Sequence, residues 1–216
     1  MNLLDHISQN LYTAVLSDSL DSLGYRRQVM REYIRPVYSK YQVIAGYAHT
    51  IAFVDSDEIL PNPFDAEIEA VDAIERDDIV VISTGNSIQN APWGELLSTA
   101  SVARGARGAV IEGFVRDVKM IEELGFPVFA TGMKPLDSNG RGLLTSYNKP
   151  IVCGEVEVNP GDLIVADFDG VIVIPTALIE ATIERANAKV TGENNSRAEL
   201  QKGAYLRDVY KKYGVL

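Results

Sequence analysis

Two short segments set groups that could do chemistry side by side. The first is Glu112-Gly-Phe-Val-Arg-Asp117, in which a guanidinium and a carboxylate follow one another directly. Arginine can grip a substrate carboxylate or stabilise a developing oxyanion, and aspartate is a hard oxygen donor suited to Mg²⁺. The second is Ala91-Pro-Trp-Gly-Glu-Leu-Leu97, where a loop runs into a helix-forming stretch. The first amides of a helix have no intrahelical partner. The N–H groups of Glu95, Leu96 and Leu97 could therefore hold a carboxylate, helped by the helix dipole. Taken singly, each segment has a plainer meaning: Arg116-Asp117 as an ion pair capping a helix, Glu95 as an ordinary first-turn acid.

Other reactive groups narrow the field. The single cysteine, Cys153, permits no intrachain disulfide and no Cys₄ or Cys₂His₂ zinc site. Within Pro150-Ile-Val-Cys153 it reads as a small core residue. His6 and His49 lie outside both segments, and His49, in an apolar run, reads as a satisfied core histidine. Gly85-Asn-Ser87 lacks the flanks of a nucleophile elbow. Gly105-Ala-Arg-Gly108 has the wrong spacing for a phosphate-binding turn, which argues against a dinucleotide enzyme. Tyr205, Tyr210 and Tyr213 are spaced for partial burial against a partner chain or for the surface, and are assigned no site.

The elements that must position the two segments can be read from patterning. Leu16, Leu20 and Leu23 recur at helical spacing behind possible starts at Thr13 and Ser17, and Gly24 stands where such a helix would stop. Val43 to Phe53 favours strand by its β-branched and aromatic content. Asp55 to Asp65, with Pro61 and Pro63, reads as loop, and Ala66 to Glu75 as a short acidic helix. Ile79–Ile82, Ala109–Ile111 and Pro127–Ala130 read as buried strands, separated by helices over Gly94–Arg104 and Val118–Leu124. That run implies parallel strands, with Arg116-Asp117 just past a strand end, where open α/β sheets place ligand loops. Thr131 to Lys149 reads as loop, and Ile151 to Val158 alternates. Leu163–Ala166 and Val171–Ile174 flank the hairpin signal Asp167-Phe-Asp-Gly170. Pro175-Thr176 opens a long helix to about residue 201. The result is one α/β domain over residues 1–216, with a βαβ centre, a mixed sheet, antiparallel hairpins and a C-terminal helix.

Composition bounds the partners. The 216 residues are 46% hydrophobic and 23% charged, enough for one sizeable core. Lys+Arg is 20 against 30 for Asp+Glu, a net charge of −10 that disfavours nucleic acid and anionic membranes. A small anionic substrate would need a local cationic site. The first ten residues lack the apolar region of a signal peptide and no apolar run reaches spanning length, so the expectation is a cytoplasmic protein without membrane association.

The ordered series Leu16-Ser-Asp-Ser-Leu20, Trp93-Gly-Glu-Leu-Leu97, Gly113-Phe-Val-Arg-Asp117, Phe126-Pro-Val-Phe-Ala130 and Pro160-Gly-Asp-Leu-Ile-Val-Ala-Asp-Phe-Asp-Gly-Val-Ile-Val-Ile-Pro175 resembles the class II pyruvate aldolases that include 4-hydroxy-4-methyl-2-oxoglutarate aldolase. The same superfamily contains regulator of ribonuclease activity A, and its members have often been labelled demethylmenaquinone methyltransferases. The resemblance implies a swivelling β/β/α-type fold and trimers, or dimers of trimers, with active sites between subunits. It implies Mg²⁺, or Mn²⁺, held directly by Asp117, with waters completing the shell. Arg116 would contact the 2-oxo group and stabilise the enolate. The Leu96 and Leu97 amides would hold the pyruvyl carboxylate, and Glu95 would bond the metal's waters and serve proton transfer. Glu193 would be lent by a neighbouring subunit. Two positions depart from the pattern: Ser83 where an acid is common, and Glu112 where aspartate is usual.

Retro-aldol cleavage or β-decarboxylation of a 2-oxo acid leaves a pyruvate enolate, stabilised either by a lysine Schiff base or by a divalent metal. The strands at 79–82, 109–111, 163–166 and 171–174 contain no lysine, which leaves the metal route. The expected function is therefore a metal-dependent lyase releasing pyruvate from a 4-hydroxy-2-oxo acid, with oxaloacetate decarboxylation as a side activity. The rivals are a non-catalytic, protein-binding regulator of ribonuclease and a lyase acting on a sugar-derived oxo acid. The ribonuclease-regulating branch is understood to lack the aspartate of the Arg-Asp pair, so Arg116-Asp117 with Glu95 discriminates against it.

Overall fold

The computed structural model describes residues 2–38 and 43–215. The chain opens with α1 (Leu3–Asn10), capped by Asn2, whose Oδ1 accepts from the Asp5 amide (2.8 Å). This helix has no counterpart in the sequence reading, because its buried stripe is only Leu4 and Ile7. α2 (Thr13–Ser22) starts at the first of the two candidate positions. The cause is distant in sequence: the Asp167 carboxylate accepts from the Thr13 amide (2.8 Å) and hydroxyl (2.7 Å), supplying the cap that Tyr12 does not.

Then follow β1 (Arg35–Pro36), β2 (Ile44–Asp55), α3 (Asp65–Asp72), β3 (Asp78–Ser83), α4 (Glu95–Arg104), β4 (Gly108–Val115), α5 (Val118–Leu124) and β5 (Val128–Met133). Next come β6 (Gly142–Tyr147), β7 (Ile151–Cys153), β8 (Val156–Val158), β9 (Leu163–Asp167) and β10 (Gly170–Ile174). A 3₁₀ turn at Thr176–Leu178 leads into α6 (Ile179–Leu200), and α7 (Leu206–Tyr213) closes the described chain.

The strand order is β1-β5-β4-β3-β2-β9-β10, with β6 also paired to β2. β2 to β5 run parallel, joined through α3, α4 and α5, while β6, β9 and β10 are antiparallel to their neighbours. The parallel centre is apolar on both faces, as its continuous runs require. Ile79, Val81, Val110 and Phe129 pack to one side with Met30 and Ile34. Val80, Ile82, Ala109, Ile111 and Val128 pack to the other with Trp93 and Ile121. The ends approach one another: Val29 bridges Ile172, and Arg35 donates to the Asp169 carbonyl (2.5 Å), so the mixed sheet nearly closes. Among the described residues no helix is long and apolar enough to cross a membrane.

Besides α1 and α7, three stretches differ from the sequence reading. β4 runs on to Val115 through Glu112 and Gly113, which break the apolar run but not the strand. The stretch read as loop from Thr131 to Lys149 holds the end of β5 and all of β6, a half-exposed strand added to the overlong β2 with a register shift at Ala52/Phe53. The alternating stretch from Ile151 to Val158 is a hairpin, because Gly154 (φ 55°) and Glu155 (φ 65°) turn left-handed in its middle.

Candidate active site

The carboxyl ends of β3, β4 and β5 point the same way, and the loops that leave them build one cleft. The loop after β3 is drawn onto β4: Trp93 bridges Val115 in parallel, and its carbonyl accepts from the Arg116 amide (3.0 Å). Trp93 is buried. Its indole N–H donates to Ser98 Oγ (2.9 Å), which donates to the Gly94 carbonyl (2.9 Å) and secures the first turn of α4. The N-cap residue Gly94 has no side chain to cap this helix, which leaves its first amides to groups from other elements, beside Arg116 and Asp117.

The approach is close enough that any Cβ at position 94 would displace a neighbouring side chain. A Cβ on Gly94 would stand 2.7 Å from Asp117 Oδ2 and 3.2 Å from Arg116 Cγ. Asp117 is held left-handed (φ 59°) at the start of α5 and does not cap that helix with its side chain. Its carboxylate turns to α4 instead, where Oδ2 accepts from the Glu95 amide at 3.4 Å. Arg116 Nε lies 3.6 Å from the same oxygen, while Nη1 is 3.5 Å from Asp137 Oδ1 and donates to the Leu136 carbonyl (3.4 Å).

The cleft so formed has a volume of about 320 Å³. α4 contributes Glu95, Leu96 and Leu97, β4's exit contributes Arg116 and Asp117, and the loop after β5 contributes Asp137 and Ser138. Phe64, Glu67 and Ile68, at and within α3, complete it. Arg116 is the one cation and Glu67, Glu95, Asp117 and Asp137 are the acids among the described residues lining it; no lysine is among them. The five residues expected from sequence, Glu95, Leu96, Leu97, Arg116 and Asp117, are thus brought together.

Glu193 is not among them. It sits on α6, where Tyr12 donates to its carboxylate in a short hydrogen bond, and the phenol is pushed up to about 12 by burial and by that carboxylate. Nor do Ser83 and Glu112 line the cleft. Glu112 is buried and fully engaged, accepting from Ser83 Oγ (2.9 Å), the Gly154 amide (2.9 Å) and Tyr33 OH (3.2 Å). The two departures form a strut tying β3 and β4 to the β7–β8 hairpin, rather than a contact surface of the cleft. His49 is buried with Nε2 on the Ala70 carbonyl (2.9 Å), and burial lowers its pKa. Burial likewise pushes the Cys153 thiol up, leaving it inert.

Three polar lining residues have no place in the sequence reading: Glu67, Asp137 and Ser138. Glu67 is buried on α3, and Ser138 Oγ donates to its Oε1 (2.6 Å). Burial pushes the carboxyl up to about 7; nearby Asp137 adds to that shift, while the Ser138 hydrogen bond and Arg116 oppose it. Its signal was the spacing Glu67, Ala70, Val71, which puts a carboxylate on the buried stripe of an otherwise acidic helix. A carboxyl that titrates near 7 when folded and near 4.5 when unfolded holds a proton in the native state over that window. Stability should therefore fall as pH rises from 5 to 8, by roughly 2–3 kcal/mol from this group. Glu67→Gln should remove that component. Urea denaturation of both proteins at pH 5 and 8 checks it, and equal slopes would refute the assignment.

The donor set fits a hard cation that keeps most of its water. One carboxylate, Asp117, is half-exposed in the cleft with Glu95 beside it, and among the described residues no three His, Cys, Asp or Glu side chains form an all-protein cage. Mg²⁺ is commonly held in that manner.

Comparison with known proteins gives the arrangement a context. Residues 13–173 match the RraA-like family, described as Aldolase/RraA. "Putative 4-hydroxy-4-methyl-2-oxoglutarate aldolase" of Halalkalibacterium halodurans is 31% identical over 188 residues, covering 86% of this chain and 84% of that protein. Protein DlpA of Legionella pneumophila is 28% identical over 98% of this chain, which spans only 34% of DlpA's own length. Among solved structures, RraAS2 of Streptomyces coelicolor, described as an unusual member of the RNase ES inhibitor RraA family, superposes with a TM-score of 0.81. It is 26% identical, over 90% of this chain and 95% of that one.

Proposed function

Because the chain belongs to the RraA-like family, we propose that it is a divalent-metal-dependent lyase cleaving a 4-hydroxy-2-oxo acid into pyruvate and a second oxo acid, with oxaloacetate decarboxylation as a side activity. The observation that carries this reading is the meeting of a helix start that Gly94 leaves without a side-chain cap with an Arg-Asp pair in one cleft. The Leu96 and Leu97 amides receive the pyruvyl carboxylate, which the dipole of α4 favours. Leu96 serves through its backbone, since its own side chain is turned to solvent. Arg116 lies where the 2-oxo oxygen would sit and stabilises the charge that builds there as the C3–C4 bond breaks. One such preorganised donor is worth about 3–4 kcal/mol of barrier.

Asp117 would hold Mg²⁺ or Mn²⁺, and Glu95 would bond the waters around it. When bound, such an ion polarises the 2-oxo group as a Lewis acid. Among the described residues no lysine lines the cleft to offer the Schiff-base alternative. A cytoplasmic homotrimer, or dimer of trimers, completes the proposal, with Glu193 lent to a neighbour's site. Native mass measurement should give a multiple of 23.6 kDa; a fully active single chain would refute the shared site.

Gly94→Ala tests the packing of the two halves. The new methyl group meets the end of the Asp117 side chain, which can swing aside, so the fold should lose only about 1 kcal/mol. The displaced carboxylate should reduce turnover roughly 10- to 100-fold. Unaltered kinetics would contradict the close approach of Gly94 to Asp117.

The reading as a whole is tested by pyruvate release from a panel of 4-hydroxy-2-oxo acids and sugar-derived oxo acids, with Mg²⁺ and with EDTA. Metal-dependent release from a 4-hydroxy-2-oxo acid is expected. Release only from the sugar-derived acids would move the assignment to that class, and none from any substrate would favour a protein-binding regulator of ribonuclease; RraAS2 is described as a member of an RNase ES inhibitor family.

A further inference from the structure

A retro-aldol reaction needs one group to take the C4 hydroxyl proton and a proton to return to C3. Arg116 offers only hydrogen-bond donors and no acceptor, so it is not that base. Glu95 stands at the start of α4, beside the carboxylate-binding amides, with Oε1 already accepting from Thr99 Oγ1 (2.7 Å). If the carboxylate lies on those amides and the 2-oxo oxygen at Arg116, the carbon chain extends toward Phe64, Glu67, Ile68 and Ser138. Asp137 is engaged with Arg116 there, which leaves Glu67 as the ionisable group on that side.

Resting on the lyase reading, we infer that Glu67, positioned by Ser138, and not Glu95, to which the resemblance gives proton transfer, is the catalytic acid–base of this cleft. Its carboxylate takes the C4 hydroxyl proton as the C3–C4 bond breaks and the carbonyl product forms. The bonding pair moves into the pyruvate enolate, and the protonated Glu67 then delivers that proton to C3, regenerating the carboxylate and releasing pyruvate. The surroundings suit the task. On its inner side Glu67 borders a small space walled by apolar groups including Ile51, Phe53 and Trp93. On its cleft side it faces Asp137, Ser138 and Arg116, with Glu95 and Asp117 across the cleft. A carboxyl so placed titrates close to neutrality, where an acid–base catalyst is most effective.

The Mg²⁺-loaded protein separates this role from the reading beneath it. Decarboxylation of oxaloacetate needs no base, whereas cleavage of 4-hydroxy-4-methyl-2-oxoglutarate and C3 hydrogen–deuterium exchange of pyruvate both do. In Glu67→Gln, cleavage and exchange should each fall at least about 100-fold, with metal-dependent CO₂ release from oxaloacetate falling less than tenfold. Cleavage and exchange near wild-type rates would overturn the proposal, as would an equal loss of all three activities. A wild-type protein with no metal-dependent activity on any of these substrates would instead remove the lyase reading itself. Ser138→Ala, which keeps the carboxylate but deletes a hydrogen bond to it, gives a second test. The ascending limb of its pH–rate profile for cleavage should move to higher pH, and an unmoved limb would overturn the role given to Ser138.

Discussion

Asp117→Ala is expected to abolish metal-dependent pyruvate formation, a loss of about 10³-fold or more, because a Lewis acid contributes several kcal/mol to such a step. No substitute ligand set stands ready: among the described residues no cluster of three potential ligands exists, and Glu95 lies beside Asp117 rather than in its place. The alanine variant carries a second effect, since position 117 is left-handed at φ 59° and alanine resists that conformation by about 1 kcal/mol or more. Asp117→Asn separates the two. Asparagine tolerates the backbone while removing the charge, so it should retain the melting temperature and still lose the activity. Steady-state rates across a Mg²⁺ titration check the pair. Full activity in either variant would sink the metal assignment.

Arg116→Ala should lower kcat by about 10²- to 10³-fold, the effect of deleting one preorganised donor to a developing oxyanion. KM should move less, because the pyruvyl carboxylate keeps its amides on α4. Arg116 is also the only cation among the described residues lining the cleft, set against four acids. Without it, Glu67 loses the cation that eases its ionisation, so any pH–rate limb belonging to Glu67 should shift upward. Arg116→Lys restores charge without the planar fork and should recover only part of kcat. Stability should change by under about 1 kcal/mol, since both ion pairs of Arg116 are half-exposed. A kcat loss below tenfold would remove Arg116 from the chemistry.

What could be read from sequence follows physical cause. The parallel centre was legible because strands buried on both faces must be apolar without interruption, as Ile79 to Ile82 are. The helix start at Glu95 and the placement of Arg116-Asp117 after a strand were legible for the same reason, each lying where a regular element begins or ends. β6 was hidden because it is short, half-exposed and without β-branched aliphatic residues, joined to the sheet by its ladder to β2 with only Leu144 and Tyr147 packing on the core. The start of α2 rests on Asp167, far along the chain, which no local pattern displays. The cleft's remaining wall was missed for a related reason. Glu67 looks like one more acid on an acidic helix, and Ser138 like one more polar loop residue, until the fold sets them 2.6 Å apart. Ser83 and Glu112, set apart in the sequence only by the resemblance, bond one another where β3 and β4 end and do not line the cleft.

The central claim is that Arg116, Asp117 and the start of α4 form one metal-assisted site for a pyruvate enolate. Its most direct test is the rate of pyruvate formation from oxaloacetate by the wild-type protein after chelation with EDTA and again after Mg²⁺ is restored. The expected result is loss of the protein-dependent rate on chelation and its return with added Mg²⁺, in proportion to protein concentration. A protein-dependent rate that EDTA leaves untouched, or no protein-dependent rate in Mg²⁺, would contradict it.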